Sequence, residues 1–65
     1  MRYSVIIPVK NEGYDILKCL NSLLESNYPK YNAEILLIDD SNSENKKILK
    51  SYLENKNIKN LQYFE

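Results

Sequence analysis

Two short apolar runs, separated by a stretch of helical periodicity, constrain the fold of this chain more than any other feature. The runs are Tyr3–Val9 and Ala33–Ile38, and their nearly continuous apolarity is typical of parallel strands buried on both faces. Between them, apolar side chains at Ile16, Leu20 and Leu23 recur at the spacing of one helix face. A strand, a helix and a second strand in this order predict a right-handed β-α-β unit with a parallel sheet.

The residues that interrupt these runs predict where each element ends. The first helix is expected over 14–26, because polar loop residues follow Pro8 and the sequence Asn27-Tyr28-Pro29 stops the helical pattern. Turn and capping residues over 39–43 then precede a second amphipathic helix, expected over 44–55, and a third strand, expected over 58–64. The sequence thus predicts an α/β fold of the order β-α-β-α-β.

The small size of the chain limits how this fold can be stabilised. Chains below about 70 residues usually need a disulfide, a metal or a partner. The single cysteine, Cys19, cannot form an intramolecular disulfide, and the absence of histidine removes the common zinc spacings. A three-stranded parallel sheet normally needs helices on both faces and protected edges, which two helices cannot easily supply. We therefore expect residues 1–65 to be the N-terminal part of one larger domain, so that the fold within them is incomplete.

Charge and hydropathy exclude several classes of partner. Nine basic and nine acidic residues are interspersed, so the sequence predicts no basic face for nucleic acid or anionic lipid. The apolar runs are far shorter than the ~20 residues of a membrane span, and no signal peptide or lipidation motif begins the chain. The lone Cys19 is expected as a small core residue, and such sparing cysteine use favours a reducing, cytoplasmic setting.

Polar residues follow both predicted strands, over 8–12 and over 39–43, and mark a candidate site. Ligands of open α/β sheets bind beyond the carboxyl ends of the strands, where helix N-termini add a positive dipole. Gly13 is the only glycine, so a P-loop and a G-x-G-x-x-G motif are both excluded. The adjacent carboxylates of Asp39 and Asp40 can instead accept hydrogen bonds from a base or a ribose. This pattern favours nucleotide recognition over catalysis.

Each of these polar residues also has a purely structural interpretation. Taken alone, Asp39 and Asp40 before Ser-Asn-Ser are more typical of a turn and an N-cap than of a binding site. Asn11 and Glu12 are equally suited to capping the first helix, and the two roles can coexist.

Four segments together resemble the start of a family 2 glycosyltransferase of the GT-A fold. They are Ser4-Val5-Ile6-Ile7-Pro8-Val9-Lys10-Asn11-Glu12, Cys19-Leu20-Asn21-Ser22-Leu23-Leu24, Tyr28-Pro29, and Glu34-Ile35-Leu36-Leu37-Ile38-Asp39-Asp40-Ser41. The resemblance implies the beginning of a three-layer, Rossmann-like nucleotide-binding domain. It also implies an enzyme that transfers a sugar from a nucleotide-diphospho-sugar, with a UDP-sugar as the first expectation, to an acceptor.

The same resemblance assigns roles to residues of the candidate site. It implies that Pro8 and Val9 lie against the base of the donor, and that the acidic pair contacts base and ribose, with Asp40 the stronger candidate of the two. The nucleotide-sugar-binding residues expected from the whole pattern are Pro8, Val9, Asn11, Glu12, Asp39 and Asp40. Two positions depart from the family pattern, since Lys10 stands where an aromatic residue is common and Ser41 where glycine is common.

Metal binding and catalysis are expected outside this segment. The family resemblance implies a divalent cation, Mn or Mg, held by an Asp-x-Asp motif downstream, together with a downstream catalytic base. Asp39 and Asp40 are adjacent and do not form that motif. We therefore expect no metal ligand and no catalytic residue within 1–65, no sugar transfer by the chain alone, and an intact protein in the cytoplasm or at the cytoplasmic face of the membrane.

Two alternatives come from other functional classes. The run Ile35–Asp40 also resembles the opening of a response-regulator receiver domain, in which paired acids bind magnesium beside a phosphorylated aspartate. No aspartate follows Asp40, however, and a complete strand and helix precede the run. The second alternative is a noncatalytic remnant, or an interaction module whose exposed sheet edge pairs with a partner. Self-association through such an edge is a separate expectation.

Overall fold

The parallel β-α-β-α-β order predicted from the sequence is confirmed by the computed structural model, which describes residues 2–65. Its elements are β1 (Tyr3–Val9), α1 (Asp15–Glu25), β2 (Ala33–Asp39), α2 (Ser43–Lys56) and β3 (Leu61–Phe64). The third strand is three residues shorter than predicted. Asn57 ends α2 and Asn60 precedes β3, and both have positive φ, 49° and 59°, which excludes an extended strand before Leu61.

The three strands form one parallel sheet in the order β1-β2-β3, so that β2 is central. Val9, the last residue of β1, lies beside Asp39, the last residue of β2. On the other side of β2, Ile38 lies beside Phe64. The carboxyl ends of all three strands therefore meet at one edge of the sheet.

Both helices cover the same face of this sheet. Two right-handed crossovers in the order β1-β2-β3 bring each helix to the same side. Ile35 and Leu37 point toward the helices and are almost fully buried, with 1% and 0% of their surface exposed. They pack in one core with Val9, Ile16, Leu20 and Leu49. The hydroxyl of Tyr52 on α2 donates to Oδ1 of Asn21 on α1 at 2.6 Å, which ties the helices together.

The opposite face of the sheet is largely bare. Ile6 is 63% exposed, Ile38 is 44% exposed and Phe64 is 46% exposed. The prediction that the strands are buried on both faces is therefore wrong for the described residues. The cause is the strand order, since both helices lie on one side. The incomplete domain expected from the sequence stays a prediction.

The expectation for one side chain also changes. Cys19 is exposed on α1, so the prediction that it belongs to the core is wrong.

Lysines that are dispersed in the sequence converge around a groove of about 290 Å³ at the amino ends of β2 and β3, far from the predicted site. Its lining is Leu24, Tyr28, Lys30, Tyr31, Lys56, Asn57, Ile58 and Lys59, which includes three lysines and no acid. Neither helix within 2–65 is long and apolar enough to cross a membrane.

Candidate functional site

The candidate site lies where β1 and β2 end, and we call residues 8–12 and 39–43 the strand-end edge. The backbone N–H of Asp40 donates to the carbonyl of Val9 at 2.9 Å, one residue beyond the paired strands. This bond continues the ladder past the last residue of β2, so the first residue of the second loop is held against β1. The structure thus brings together the two polar segments that the sequence predicts to be neighbours.

Asn11 ties the first loop to the second through two hydrogen bonds. Its backbone N–H donates to Oγ of Ser41 at 2.8 Å, and its Oδ1 accepts from the backbone N–H of Asn42 at 2.9 Å. Asn11 has φ of 49°, a left-handed conformation that asparagine tolerates better than most residues. The side chain of Asn11 therefore holds the two loops in register.

Asn45, in the first turn of α2, forms a second link to the segment after β1, which the sequence did not reveal. Its Oδ1 accepts from the backbone N–H of Gly13 at 2.9 Å. Gly13 has φ of 58°, so its lack of a Cβ is used here. Asn42 caps α2, since its Oδ1 accepts from the backbone N–H of Asn45 at 2.9 Å, and this confirms the predicted turn and cap cluster.

The N-terminus of α1 is built differently from that of α2. Tyr14 occupies the N-cap position and no side chain caps the helix. The backbone carbonyl of Glu12 accepts from the N–H of Asp15 at 3.1 Å, while the side-chain oxygen of Asn11 is engaged by Asn42. Side-chain capping of α1 by Asn11 or Glu12, one of the structural interpretations above, is therefore wrong.

Asp39 is buried, and both of its carboxylate oxygens are bonded inside the protein. Only 3% of its surface is exposed. Its Oδ1 accepts from the backbone N–H of Ser41 at 3.0 Å, and its Oδ2 accepts from the hydroxyl of Tyr63 at 2.5 Å. Tyr63 lies on β3 and had no role in the sequence-based site. Asp39 shares the buried phase of Ala33, Ile35 and Leu37, a period-two signal that could have indicated its inward direction.

These contacts set the ionisation of the pair. Burial works to raise the pKa of the Asp39 carboxyl, but the hydrogen bonds from Ser41 and Tyr63 and the positive charge of Lys46 outweigh it and hold the pKa below its ordinary value of 3.8. Burial, with the bond to the Asp39 carboxylate, raises the pKa of the Tyr63 hydroxyl well above 10.0. At neutral pH the pair is a carboxylate that accepts from a neutral hydroxyl.

The other predicted site residues differ in what they present to solvent. Pro8, Glu12 and Asp40 are exposed, and Pro8 lies on the bare face of the sheet beside Ile38. The side chain of Val9 is buried in the core, with 4% of its surface exposed, and its carbonyl is bonded to Asp40. Asp40 is thus the one acid of the adjacent pair whose carboxylate faces outward.

A basic groove borders the strand-end edge on the side of α2 and β3. It is lined by Ser43, Lys46, Lys47, Lys50 and Glu65, with a volume of about 380 Å³. Glu65 lies 2.7 Å from Nζ of Lys50 and 3.9 Å from Nζ of Lys46. Both ion pairs are well exposed and stabilise the fold little. Lys46 has the clearer effect on the site, because its charge lowers the pKa of Asp39.

The described residues do not fit a divalent metal. Within 2–65 there is no group of three or more histidine, cysteine, aspartate or glutamate side chains that could hold one. The carboxylate of Asp39 is already committed to Ser41 and Tyr63. The donor groups of this edge are therefore not arranged to hold a metal ion.

Comparison with known protein families identifies the family to which this polar strand-end edge belongs. The model of the family described as glycosyl transferase family 2 matches residues 4–65. The chain belongs to this family. The match includes β1 and α1, the two elements that the receiver-domain alternative leaves unexplained.

Three curated relatives are similar to parts of this chain. Glycosyltransferase AglE of Haloferax volcanii is 46% identical over 44 residues, which cover 68% of this chain and 14% of that protein. The poly(ribitol-phosphate) beta-N-acetylglucosaminyltransferase TarS of Staphylococcus aureus is 35% identical over 60 residues, 91% of this chain and 10% of that protein.

The third relative, from Methanococcus voltae, is the dolichyl N-acetyl-alpha-D-glucosaminyl phosphate 3-beta-D-2,3-diacetamido-2,3-dideoxy-beta-D-glucuronosyltransferase. It is 34% identical over 62 residues, 94% of this chain and 19% of that protein. The chain therefore spans less than a fifth of the length of each of these relatives. No solved structure matches the chain significantly.

Proposed function

We propose that this chain is the donor-recognition segment of a glycosyltransferase that takes a sugar from a nucleotide-diphospho-sugar. Membership of glycosyl transferase family 2 over residues 4–65 supports the reaction class, and the names of the three relatives agree with it. The segment would contribute contacts to the base and ribose of the donor. The acceptor and the catalytic groups belong to other residues of the intact enzyme.

The observation that carries this proposal is the placement of Asp40. Its carboxylate is exposed, while its backbone N–H is fixed to Val9 at 2.9 Å and its neighbour Asp39 is buried. An exposed acceptor on a rigid backbone suits a hydrogen bond from a base N–H or a ribose hydroxyl. We propose Asp40 as the direct contact and Asp39 as its support, with Pro8, Val9, Asn11 and Glu12 shaping the same edge.

Magnitudes limit what this edge can do by itself. Micromolar affinity needs about 8 kcal/mol, whereas one charge-assisted hydrogen bond supplies about 1.5 to 3 kcal/mol. We therefore propose that the isolated chain binds a nucleotide weakly and transfers no sugar. Detectable transfer or hydrolysis of a nucleotide-sugar by the purified 65-residue chain would contradict this.

The proposal is tested by calorimetric titration of the full-length gene product with UDP in the presence of Mn²⁺. Asp40→Asn keeps the size of the side chain and removes its charge, and we expect it to raise the Kd for UDP at least about tenfold. Glu44→Gln is the matched control, because Glu44 is also exposed and lies in the first turn of α2 nearby. We expect it to leave the Kd unchanged within about twofold.

Two results would count against the proposed site. An unchanged Kd in Asp40→Asn removes Asp40 from the nucleotide contact. An equal loss in Glu44→Gln shows that the protein responds to net charge and not to one carboxylate. Parallel titrations with CDP and GDP compare the bases, since we propose uracil as the base on family resemblance alone.

The metal, the compartment and self-association are also proposals. We propose that Mn or Mg assists the intact enzyme through residues other than those described, so that EDTA weakens binding of UDP by the gene product.

We propose a reducing, cytoplasmic location, which the single, exposed and free Cys19 supports. We propose weak self-association of the chain through a sheet edge, because β1 and β3 each pair on one side only within 2–65. Sedimentation at increasing concentration tests it.

A further inference from the structure

A tyrosine on the third strand reaches the strand-end edge through a buried carboxylate. The hydroxyl of Tyr63 donates to Oδ2 of Asp39 at 2.5 Å, and Oδ1 of Asp39 accepts from the backbone N–H of Ser41 at 3.0 Å. Asp39 and Ser41 are the residues on either side of Asp40. The carboxylate of Asp39 therefore holds the backbone just after the exposed acid, and Tyr63 holds that carboxylate in place.

The chain of bonds continues from Ser41 to the first loop. Oγ of Ser41 accepts from the backbone N–H of Asn11 at 2.8 Å, and Ser41 is only 9% exposed. Loss of the Tyr63 bond would free Asp39 to rotate about its side-chain torsions. The backbone N–H of Ser41 would then lose its acceptor on Asp39, and the hydroxyl of Ser41 would no longer be held in position.

We infer that Tyr63 is a positioning residue for nucleotide recognition: through Asp39 it keeps the backbone of Asp40 in the orientation that a bound nucleotide needs. This inference rests on the proposed function of Asp40. It gives β3 a part in the donor site although Tyr63 is bonded to Asp39 and not to Asp40. A loop backbone that is held in place before the nucleotide binds costs no binding free energy to order, and this is how Tyr63 raises affinity.

The rival explanation is that the Tyr63 hydroxyl only satisfies a buried carboxylate and stabilises the fold. Tyr52 offers a matched control, because its hydroxyl donates to Oδ1 of Asn21 at 2.6 Å and is also partly buried. That bond joins α1 to α2 and does not involve the strand-end edge. Tyr63→Phe and Tyr52→Phe thus each remove one donating hydroxyl, whose acceptor is a carboxylate at Tyr63 and a neutral amide at Tyr52.

The experiment measures the Kd for UDP with Mn²⁺ in the full-length gene product. We expect Tyr63→Phe to raise the Kd about fivefold, the equivalent of one lost hydrogen bond, and Tyr52→Phe to leave it within about twofold of the wild type. A Kd of Tyr63→Phe within twofold of the wild type overturns the inference. So does an equal rise in both variants, because it would mean that stability alone sets the affinity.

A double-mutant cycle shows whether Tyr63 acts through Asp40. If it does, Tyr63→Phe has no further effect once Asp40→Asn is present, whereas independent action gives a second fivefold loss. If Asp40→Asn alone leaves the Kd unchanged, the proposed function fails and the inference with it. If Asp40→Asn weakens binding and Tyr63→Phe does not, only the positioning role fails.

A second variant keeps the inference testable if Tyr63→Phe does not fold, as judged by circular dichroism. Asp39→Ala removes both acceptor oxygens and breaks the same link from the other side. We expect it to raise the Kd for UDP as much as Tyr63→Phe would, and an unchanged Kd would overturn the inference.

Discussion

The side chain of Asn11 accepts a hydrogen bond from the backbone of Asn42 at 2.9 Å, although the two lie 31 positions apart in the chain. Asn11 also donates its own N–H to Ser41 at 2.8 Å. Both bonds join the loop after β1 to the loop after β2. The strand-end edge is therefore held together by its own hydrogen bonds, and their contribution to the free energy of unfolding can be measured separately from ligand binding.

Asn11→Ala is expected to destabilise the protein by about 2 kcal/mol. The substitution removes the Oδ1 acceptor, at about 1 kcal/mol, and places alanine at φ of 49°, at about 1 kcal/mol more. Asn11→Gly separates the two costs, because glycine adopts positive φ freely and loses only the acceptor. Urea unfolding followed by circular dichroism measures both variants. Equal stability of the alanine and glycine variants would show that the left-handed conformation carries no cost.

The Asp39–Tyr63 pair predicts a stability that falls at both ends of the pH scale. The pKa of Asp39 is lowered in the folded protein, so its stabilising contribution is present above about pH 4 and is lost as pH falls through the lower folded value. The pKa of Tyr63 is raised, so its contribution is present below pH 10 and is lost as pH rises beyond it.

Substitution of each tyrosine separates the two limbs of this pH profile. Burial also raises the pKa of Tyr52, but Tyr52 is not bonded to Asp39. Tyr63→Phe should therefore flatten both the acid and the alkaline loss of stability, whereas Tyr52→Phe should flatten the alkaline loss alone. Unfolding free energies measured from pH 2 to 11 decide this. An unchanged acid limb in Tyr63→Phe would mean that its hydroxyl does not hold the pKa of Asp39 down.

The order of the elements was predictable because the signals for it are local. A continuous apolar run such as Val5–Ile7 and the recurrence of Ile16 and Leu20 each lie within one element. Strand order is set by pairing between distant segments, and the sequence does not contain it in readable form. Had β1 been central, right-handed crossovers would have placed the two helices on opposite faces. With β2 central, one face stays bare.

The candidate site shows the same division between local and distant information. Its position at the strand ends followed from the fold class and from the polar residues after each strand. Asp39 points inward and Asp40 outward because side chains along β2 alternate between the two faces of the sheet. This is a local signal, but two adjacent acids in a sequence are readily treated as one pair. The contact with Tyr63 depends on the register of β3, in which Leu37 pairs with Tyr63, and this is a long-range property.

Asn42→Ala is expected to destabilise the protein by about 1 kcal/mol, because Asn42 is the N-cap of α2 and accepts from the N–H of Asn45 at 2.9 Å. Asn55→Ala is the control within the same helix. Asn55 is exposed and donates only to the carbonyl of Ser51, so alanine there should be neutral or slightly stabilising through its higher helix propensity. Thermal unfolding of both variants tests the cap. Equal effects would show that capping adds nothing at Asn42.

The bare face of the sheet predicts a large asymmetry between two isoleucines of the same strand. Ile35 is 1% exposed against the helices, so Ile35→Ala should cost about 2 to 5 kcal/mol and unfold much of the protein. Ile38 is 44% exposed on the other face, so Ile38→Ala in the 65-residue chain should cost less than about 1 kcal/mol.

Comparing the two isoleucine variants in the full-length gene product extends this test. If further parts of the protein cover the bare face there, Ile38→Ala becomes as costly as Ile35→Ala, because its side chain is then buried as well. Urea unfolding of both variants in both proteins gives the four values needed. A large and equal loss for the two variants already in the 65-residue chain would contradict the one-sided core, since Ile38 has no helix to pack against within 2–65.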